Sequence, residues 1–450
     1  MPAHKIEKYL SNKYPYFGVN KSREITRLLY EIAKRESVDF KSILADCRAA
    51  GPDFENLKNE LLARRYPESI VGSERRGYYL SKLDIRSSES VKLKKEVNLR
   101  PKNIFATEGS AGSYLAARLR KLFPKAKYRV VASMKEALKG REFTVADYNR
   151  RAENIYITEE KYDYFKACPC TKGAVCCGYN IMNVGFGCPF ECTYCFLQGY
   201  QNFAGIVLPS NIEEYFRRFN SSKLLKGIFG TPRIGTGEFT DSLVYDHITE
   251  YSPQVIEFFR KHPEVSFEFK TKSANTVNIL NSKPPKNIVV SWSLNPRKII
   301  EENEFYSASL DERLKAARAI ADAGLGVGFH FDPVVYYPGW EKGYEEVVEA
   351  VFKQVPVKSI RWISIGTLRM NPEVKKVIEN RFPENKILDG EMLLGFDGKL
   401  RYIQSVRQNI CNKMAQFIRK HSKDVFVYLC MEEKSMWNRT GLTRVNIDPV

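Results

Sequence analysis

The sequence predicts an α/β fold: an incomplete (β/α)6 TIM-like barrel with an N-terminal helical extension and a C-terminal hairpin plus helix. Three observations carry this reading. Six short apolar runs alternate with helical ones between residues 179 and 365, the pattern of a parallel sheet with right-handed crossovers. A length of 450 residues allows two or three domains around a large core. At 43% hydrophobic and 28% charged, the chain has ordinary globular usage, which excludes disordered, collagenous and membrane-embedded classes. The barrel is read as incomplete because the strand count falls two short of an eightfold one.

Taken in order, residues 1–100 form a basic helical extension and linker. Ile25, Leu28, Leu29 and Ile32 recur at helical spacing, a second helix runs from Asp39 to the Gly51-Pro52 stop, and a third carries Leu57, Leu61 and Leu62 before Pro67. These helices read as a cap packed on the main domain, a small nucleic-acid module being the other reading. Glu74 to Arg100 is polar and charged, a linker. Residues 101–177 hold a βαβ-like lead-in and a Cys-rich segment. The lead-in consists of IFAT from Ile104, a helix from Ser110 to Phe123 with Leu115, Leu119 and Leu122 on one face, and YRVV at 128–131.

The barrel itself is assigned to residues 178–385. Its candidate strands are Tyr179–Val184, Gly227–Gly230, Val265–Lys270, Ile288–Ser293, Gly326–Phe331 and Ile360–Ile365. One crossover helix, Ser309 to Ala323, opens with the capping box Ser309-x-x-Glu312 and stops at Gly324. Ligands belong at the carboxyl ends of such strands. Residues 386–450 supply a hairpin signalled by Phe396-Asp397-Gly398-Lys399, a helix from Ser405 to His421 and the strand VFVYL.

The net charge of +18 is uneven. Residues 1–150 carry 32 basic and 18 acidic side chains, and residues 151–450 carry 39 and 35. That asymmetry suits a polyanionic partner such as a nucleic acid, because phosphate contacts release condensed counterions. No apolar run reaches the roughly 18 residues of a spanning helix, and the first residues lack a signal-peptide core. The expectation is a cytoplasmic protein with no membrane partner.

Seven of the ten cysteines lie between Cys168 and Cys195. Clustered short spacings point to metal or cluster ligation rather than to disulfides. Cys188, Cys192 and Cys195, spaced C-x3-C-x2-C, follow directly on the first barrel strand. Three thiolates on one loop can hold three irons of a [4Fe-4S] cluster and leave the fourth open. Zinc is the weaker assignment, since its paired ligand spacings are missing. Upstream, Cys168, Cys170, Cys176 and Cys177 read as structural thiols, with an auxiliary metal as another reading.

With the aromatic Phe196 after it, this cysteine spacing resembles the signature of the radical S-adenosylmethionine enzymes. Within that superfamily, the stretch from about Ile104 onward resembles the spore photoproduct lyase family. The blocks that carry the likeness are CPFECTYCFLQ at 188–198, FTDSLVYDH at 239–247, FKTKS at 269–273, SWSLN at 291–295, ERLKAARAIADAG from Glu312, GFHFDPVVYYPGWEKGY at 328–344 and NPEVKKVIENRFP at 371–383. The resemblance implies a [4Fe-4S] cluster on Cys188, Cys192 and Cys195, with S-adenosylmethionine bound beside it. It also implies a 5′-deoxyadenosyl radical, and an external electron donor such as flavodoxin or ferredoxin. Thr240, Lys272 and Ser293 match cofactor-contacting positions, and Asn295 and Asp332 sit at strand ends facing the same mouth.

Two positions depart from the lyases. Glu238 stands where they carry the cysteine that returns a hydrogen atom to the product radical. Gly235-Thr236-Gly237-Glu238 resembles instead the segment by which other radical enzymes hold the methionyl amino group, a carboxylate facing an ammonium. Of two tyrosines flanking the third cluster ligand, Tyr194 is kept and the other is Phe196. Tyr194 and Glu238 are therefore the catalytic candidates, and the upstream thiols gain a further reading as a replacement hydrogen donor. The hairpin matches one that contacts DNA in the lyases, which makes Phe396, Lys399, Arg401 and Tyr402 candidate nucleic-acid contacts. The five histidines show no paired spacing, and His330 reads as a core polar group. The expected function is radical chemistry on a nucleic acid, either lesion repair or base modification. The rivals are radical chemistry on another substrate and an iron–sulfur nucleic-acid-binding module without catalysis.

Overall fold

The computed structural model describes residues 3–47, 53–71, 77–93, 99–140, 142–171, 173–395 and 397–442. The four-segment division above is kept as a proposal about the chain's order along its length. By packing, the chain forms two compact units, one of residues 1–91 with 368–407 and one of residues 92–367 with 408–450.

An eight-stranded sheet organises the larger unit. Its strands run Val427–Leu429, Ile360–Thr367, Gly326–Val334, Ile288–Ser293, Ser266–Thr271, Arg233–Gly235, Tyr179–Met182 and Phe165–Ala167. The first seven are parallel, and Phe165–Ala167 is an antiparallel edge. Ile288–Ser293 is buried at every position, as a continuous apolar run between two parallel neighbours requires. The crossover helix spans Leu310–Asp322 with the expected reciprocal Ser309–Glu312 cap, and it buries Leu314, Ala317 and Ile320.

Two strand assignments change. Residues 227–229 form a 3-10 turn, because Gly227 and Gly230 both take left-handed backbone, at φ 49° and 68°. Gly227 also crosses Gly178 so closely that a Cβ on either would meet the other's backbone within 2.6 Å. The strand comes a few residues later, at Arg233–Gly235. The segment VFVYL contributes Val427–Leu429 as a seventh parallel strand, paired with Ile360–Thr367.

Inside this sheet lies a polar network. Arg233 donates to Glu268 at 2.6 Å, His330 meets the same carboxylate at 2.8 Å and Ser364 at 2.6 Å, and Ser291 donates to Glu268 at 2.5 Å. His330 is thus the core polar group that its strand position implied. A second sheet in this unit is four-stranded and parallel, in the order Lys127–Val131, Asn103–Thr107, Asn154–Thr158, Ile206–Pro209. Its helix begins at Tyr114 behind the N-cap Ser113, and residues 108–110 form a separate 3-10 turn.

The smaller unit packs the helices Ala3–Lys13, Val19–Glu36, Phe40–Asp46 and Phe54–Arg65 with the helix Pro372–Arg381 and a three-stranded antiparallel sheet. Polar, charged residues 77–93 run against this helix: Arg86 donates its backbone N–H to Asn380 and Val91 to Arg381. Arg27 is fully buried on Glu379, and Glu31 receives both Lys375 at 2.7 Å and Arg65 at 2.8 Å. Many cations of the basic extension are therefore spent within the fold. Among the described residues no helix is long and apolar enough to cross a membrane.

Candidate cluster and cofactor site

The cysteine loop leaves the Tyr179–Met182 strand at its carboxyl end. Gly187, at φ 97°, turns the chain where a Cβ would press on the Gly205 carbonyl, and its N–H donates to the Phe239 carbonyl. Buried Arg151 then gathers the loop. Its guanidinium donates to the carbonyls of Cys188 (2.8 Å) and Phe190 (2.7 Å) and pairs with Glu191 at 2.7 Å. Cys192 lies in a two-residue strand antiparallel to Glu304–Phe305, and the next residue, Thr193, is bonded through backbone and side chain to Asn303. Cys195 closes the turn by donating its N–H to the Cys192 carbonyl at 3.1 Å.

The three thiols lie within electrostatic reach of one another. Burial pushes Cys188 up to about 12 and Cys192 well above its ordinary value, with Lys272 pulling Cys192 back. Among the described residues no three His, Cys, Asp or Glu side chains converge on a single metal ion. A cluster makes a different demand, one thiolate on each of several irons. Three thiols on one loop clamped by Arg151, Cys192 buried and Cys188 and Cys195 half-buried, are a donor set that fits that demand.

Glu304 organises the wall beside the loop. It is 2% exposed, pairs with Arg313 at 2.6 Å, accepts from Asn295 at 2.8 Å and receives the Tyr194 hydroxyl. Burial opposes its charge, yet Arg313 and Lys272 hold its carboxyl down at about 2. Lys272 is half-buried; Glu304 and Cys192 outweigh its desolvation and raise its ammonium above the ordinary lysine value. Its Nζ lies 5.9 Å from the centre of the Tyr194 ring. Asp241 fixes the other side of Lys272, accepting from the Lys272 backbone N–H and the Thr271 hydroxyl, each at 2.6 Å. Thr240 is the buried neighbour of Asp241, and the Ser293 carbonyl accepts from Arg313 at 2.8 Å.

The structure thus gathers Cys188, Cys192, Cys195, Tyr194, Thr240, Lys272 and Ser293 around Asp241, Glu304 and Arg313. Glu238 stands aside with a resident cation, Lys166, whose Nζ is 3.1 Å from its carboxylate. Asn295 is a positioning group, bonded to Glu304 and Tyr344, and Asp332 is half-buried in the Gly326–Val334 strand. Phe196 is 43% exposed beyond the loop. Sequence reading missed Arg151, Asp241, Glu304 and Arg313. Asp241 and Arg313 carried a signal, their places inside FTDSLVYDH and ERLKAARAIADAG.

The upstream thiols are all free. Cys170 donates to Cys176 across 3.8 Å, and Gly178 N–H donates to Cys176 at 3.3 Å. Their segment packs on the residues after Val427–Leu429, through Val175 to Glu432 and the Ala174–Glu433 bridge. It thereby spans the two edges of the open sheet, a structural use of the segment.

The hairpin corrects two expected contacts. Arg401 and Tyr402 are each 1% exposed. Arg401 bonds Asp397 at 2.6 Å, an intramolecular partner that takes the guanidinium away from phosphate, and Tyr402 packs over Gly390. Lys399 is partly exposed, and Phe396 lies outside the described residues.

Fold and loop together define an α/β half-barrel enzyme framework with a three-thiol loop at the mouth of its first strand. The spore photoproduct lyase family matches residues 172–429, more than half of the sequence. This chain belongs to the spore photoproduct lyase family. It is 28% identical over 209 residues to the spore photoproduct lyase of Geobacillus sp. (strain Y412MC61), a stretch that covers 45% of this chain and 60% of that protein. A solved spore photoproduct lyase complexed with dinucleoside spore photoproduct shares the fold at TM-score 0.63 and 22% identity, over 74% of this chain and 99% of that one. A variant with bound AdoMet and dinucleoside spore photoproduct gives TM-score 0.61 at 22% identity, over 76% and 100%.

Proposed function

We propose that this chain is a radical S-adenosylmethionine enzyme of the spore photoproduct lyase type that acts on a nucleic acid. The observation that carries the reading is the Arg151-clamped cysteine loop, with buried Glu304 and half-buried Lys272 beside it. Cys188, Cys192 and Cys195 would hold the cluster. When bound, the reduced cluster would supply one electron to the sulfonium of S-adenosylmethionine, breaking its C5′–S bond to give methionine and a 5′-deoxyadenosyl radical able to take hydrogen from substrate. A protein such as flavodoxin or ferredoxin would deliver that electron.

The chain's own work is positioning. The Lys272 ammonium would face a carboxylate, and the Thr240 and Ser293 hydroxyls would face polar groups of the ribose. Glu304 fixes Tyr194 in place, and the buried barrel wall excludes water from a reactive carbon. Glu238, the second catalytic candidate, would hold the methionyl ammonium in exchange for Lys166. A carboxylate cannot return a hydrogen atom as a thiol does, so the last step of the lyases would be impaired here.

The test is anaerobic turnover with reductant, S-adenosylmethionine and DNA bearing a methylene-bridged thymine dimer, with Glu238→Cys alongside. At saturating S-adenosylmethionine we expect 5′-deoxyadenosine from both proteins, with a higher KM for S-adenosylmethionine in the variant, which lacks the carboxylate, and repair that is slow in the native protein and at least tenfold faster in the variant. No 5′-deoxyadenosine from either protein would contradict the radical reading. Fast native repair would contradict the role assigned to Glu238.

A further inference from the structure

We propose that the outer edge of the four-stranded sheet is a docking face for the phosphate backbone of a nucleic acid. This face runs from the end of the Tyr114–Leu122 helix, through the Lys127–Val131 strand, to the short helix Met134–Ala137. The inference rests on the nucleic-acid reading above and adds a second contact surface to it, remote in sequence from both the cysteine loop and the hairpin.

Charge is the first observation. Residues 118–139 hold eight basic side chains against one acidic, Glu136. Lys121, Lys125, Lys127, Arg129, Lys135 and Lys139 are all exposed. Among the described residues none of these six forms an ion pair, whereas Arg118 is taken up by Glu250. Glu136, itself exposed, accepts from Ala132 N–H at 2.8 Å within its own turn. The N-terminal extension behaves differently: residues 1–91 hold 17 basic and 13 acidic side chains, and Arg27, Arg64 and Arg65 are consumed by internal pairs. Lys5, Lys8, Lys13, Lys21 and Lys41 of the extension are exposed as well, but they are interspersed with acidic side chains, whereas residues 118–139 alone carry a net +7 of the +14 on residues 1–150.

Shape is the second observation. Lys127–Val131 pairs on one side only, with Asn103–Thr107, and alternates exposed and half-exposed positions along its length. A lone lysine or two would suffice to deter edge-to-edge pairing. Here the cations continue onto the preceding and following elements, as a row that can follow a backbone. Arg120 adds a guanidinium held flat, 3.8 Å above the Tyr128 ring, suited to bidentate phosphate contact. An anionic membrane would need an outward apolar helix face, but this helix turns Leu115, Ala116 and Leu119 into the core. The exposed apolar side chains of these elements, Tyr114, Leu122 and Val130, are outnumbered by the six exposed cations, and this charge complementarity favours nucleic acid.

The experiment is fluorescence anisotropy of the reconstituted full-length protein with a 20-base-pair duplex across a potassium chloride series. The comparison is the variant Lys125→Glu/Lys127→Glu/Arg129→Glu/Lys135→Glu, with the four Gln substitutions as a milder second variant. We expect native binding whose log–log salt slope is steeper than that of the charge-reversed protein by about three, since each phosphate contact contributes about 0.9. Affinity should fall at least tenfold in the reversed protein and by less in the Gln variant. Lysine acetylation footprinting of the native protein should show Lys125 and Lys127 protected by duplex. No native binding, an unchanged slope in both variants, or capture by phosphatidylserine vesicles without competition from duplex overturns the proposal. 5′-Deoxyadenosine release without nucleic acid should be equal in all three proteins. Its failure would strike the radical reading and leave the docking result standing.

Discussion

At the residue scale, Glu304 decides the geometry around the cysteine loop. It sits opposite Cys192 across a two-residue ladder and collects Arg313, Asn295 and Tyr194 while compensating half-buried Lys272. Removing one partner of a buried pair leaves an uncompensated charge, at a cost of about 3–5 kcal/mol. Glu304→Ala should therefore lower the unfolding free energy by about that much in urea titrations, and Glu304→Gln, which keeps the shape and one acceptor, by less. A loss below about 1 kcal/mol for the alanine variant, within the range of an exposed pair, would show that Arg313 and Lys272 do not depend on it. None of this was legible in the sequence. The three cysteines announced themselves by spacing, whereas Glu304 and Arg151 act through partners 112 and 40 positions away, Cys192 and Glu191 respectively, and spacing carries no trace of such contacts.

At the element scale, legibility followed local signals. Ile288–Ser293 was found because a doubly covered parallel strand is apolar throughout, and Leu310–Asp322 because its capping box is written in four residues. The false strand at residues 227–230 has apolar residues but is governed by two left-handed glycines and a close crossing with Gly178. The hairpin was found by its turn, while the burial of Arg401 and Tyr402 depended on tertiary packing. The strands also share an interior network with a pH consequence. Burial, reinforced by nearby Lys270, lowers His330 to about 4 against the pull of Glu268. In the unfolded chain the same imidazole binds a proton near 6.5. Between those values the unfolded state holds the extra proton, so stability is full above about pH 6.5 and falls as the pH drops toward 4, at up to about 1.4 kcal/mol per pH unit. Glu268, held below the usual carboxylate range by Arg233 and His330 despite its burial, extends the loss at lower pH. Urea unfolding at pH 7, 6 and 5 should show this slope, and His330→Gln should flatten it. Equal native stability at pH 7 and pH 5 would contradict the assignment.

At the scale of the whole molecule, sequence order and packing diverge. The N-terminal helices and the late hairpin, hundreds of residues apart, share one compact unit, while the strand Val427–Leu429 returns to the sheet begun at residue 165. The net charge is likewise uneven: residues 118–139 hold eight basic side chains against one acidic, while Arg27, Arg64 and Arg65 are taken up by internal pairs. We propose that Cys188, Cys192 and Cys195 carry a cluster with an iron open to S-adenosylmethionine. Frozen-solution EPR of the reduced, reconstituted protein tests it most directly. Adding S-adenosylmethionine should shift the cluster's g values, and the Cys188→Ala/Cys192→Ala/Cys195→Ala variant should lose the signal. A signal indifferent to S-adenosylmethionine, or one that survives in the triple variant on the thiols between Cys168 and Cys177, would contradict the claim.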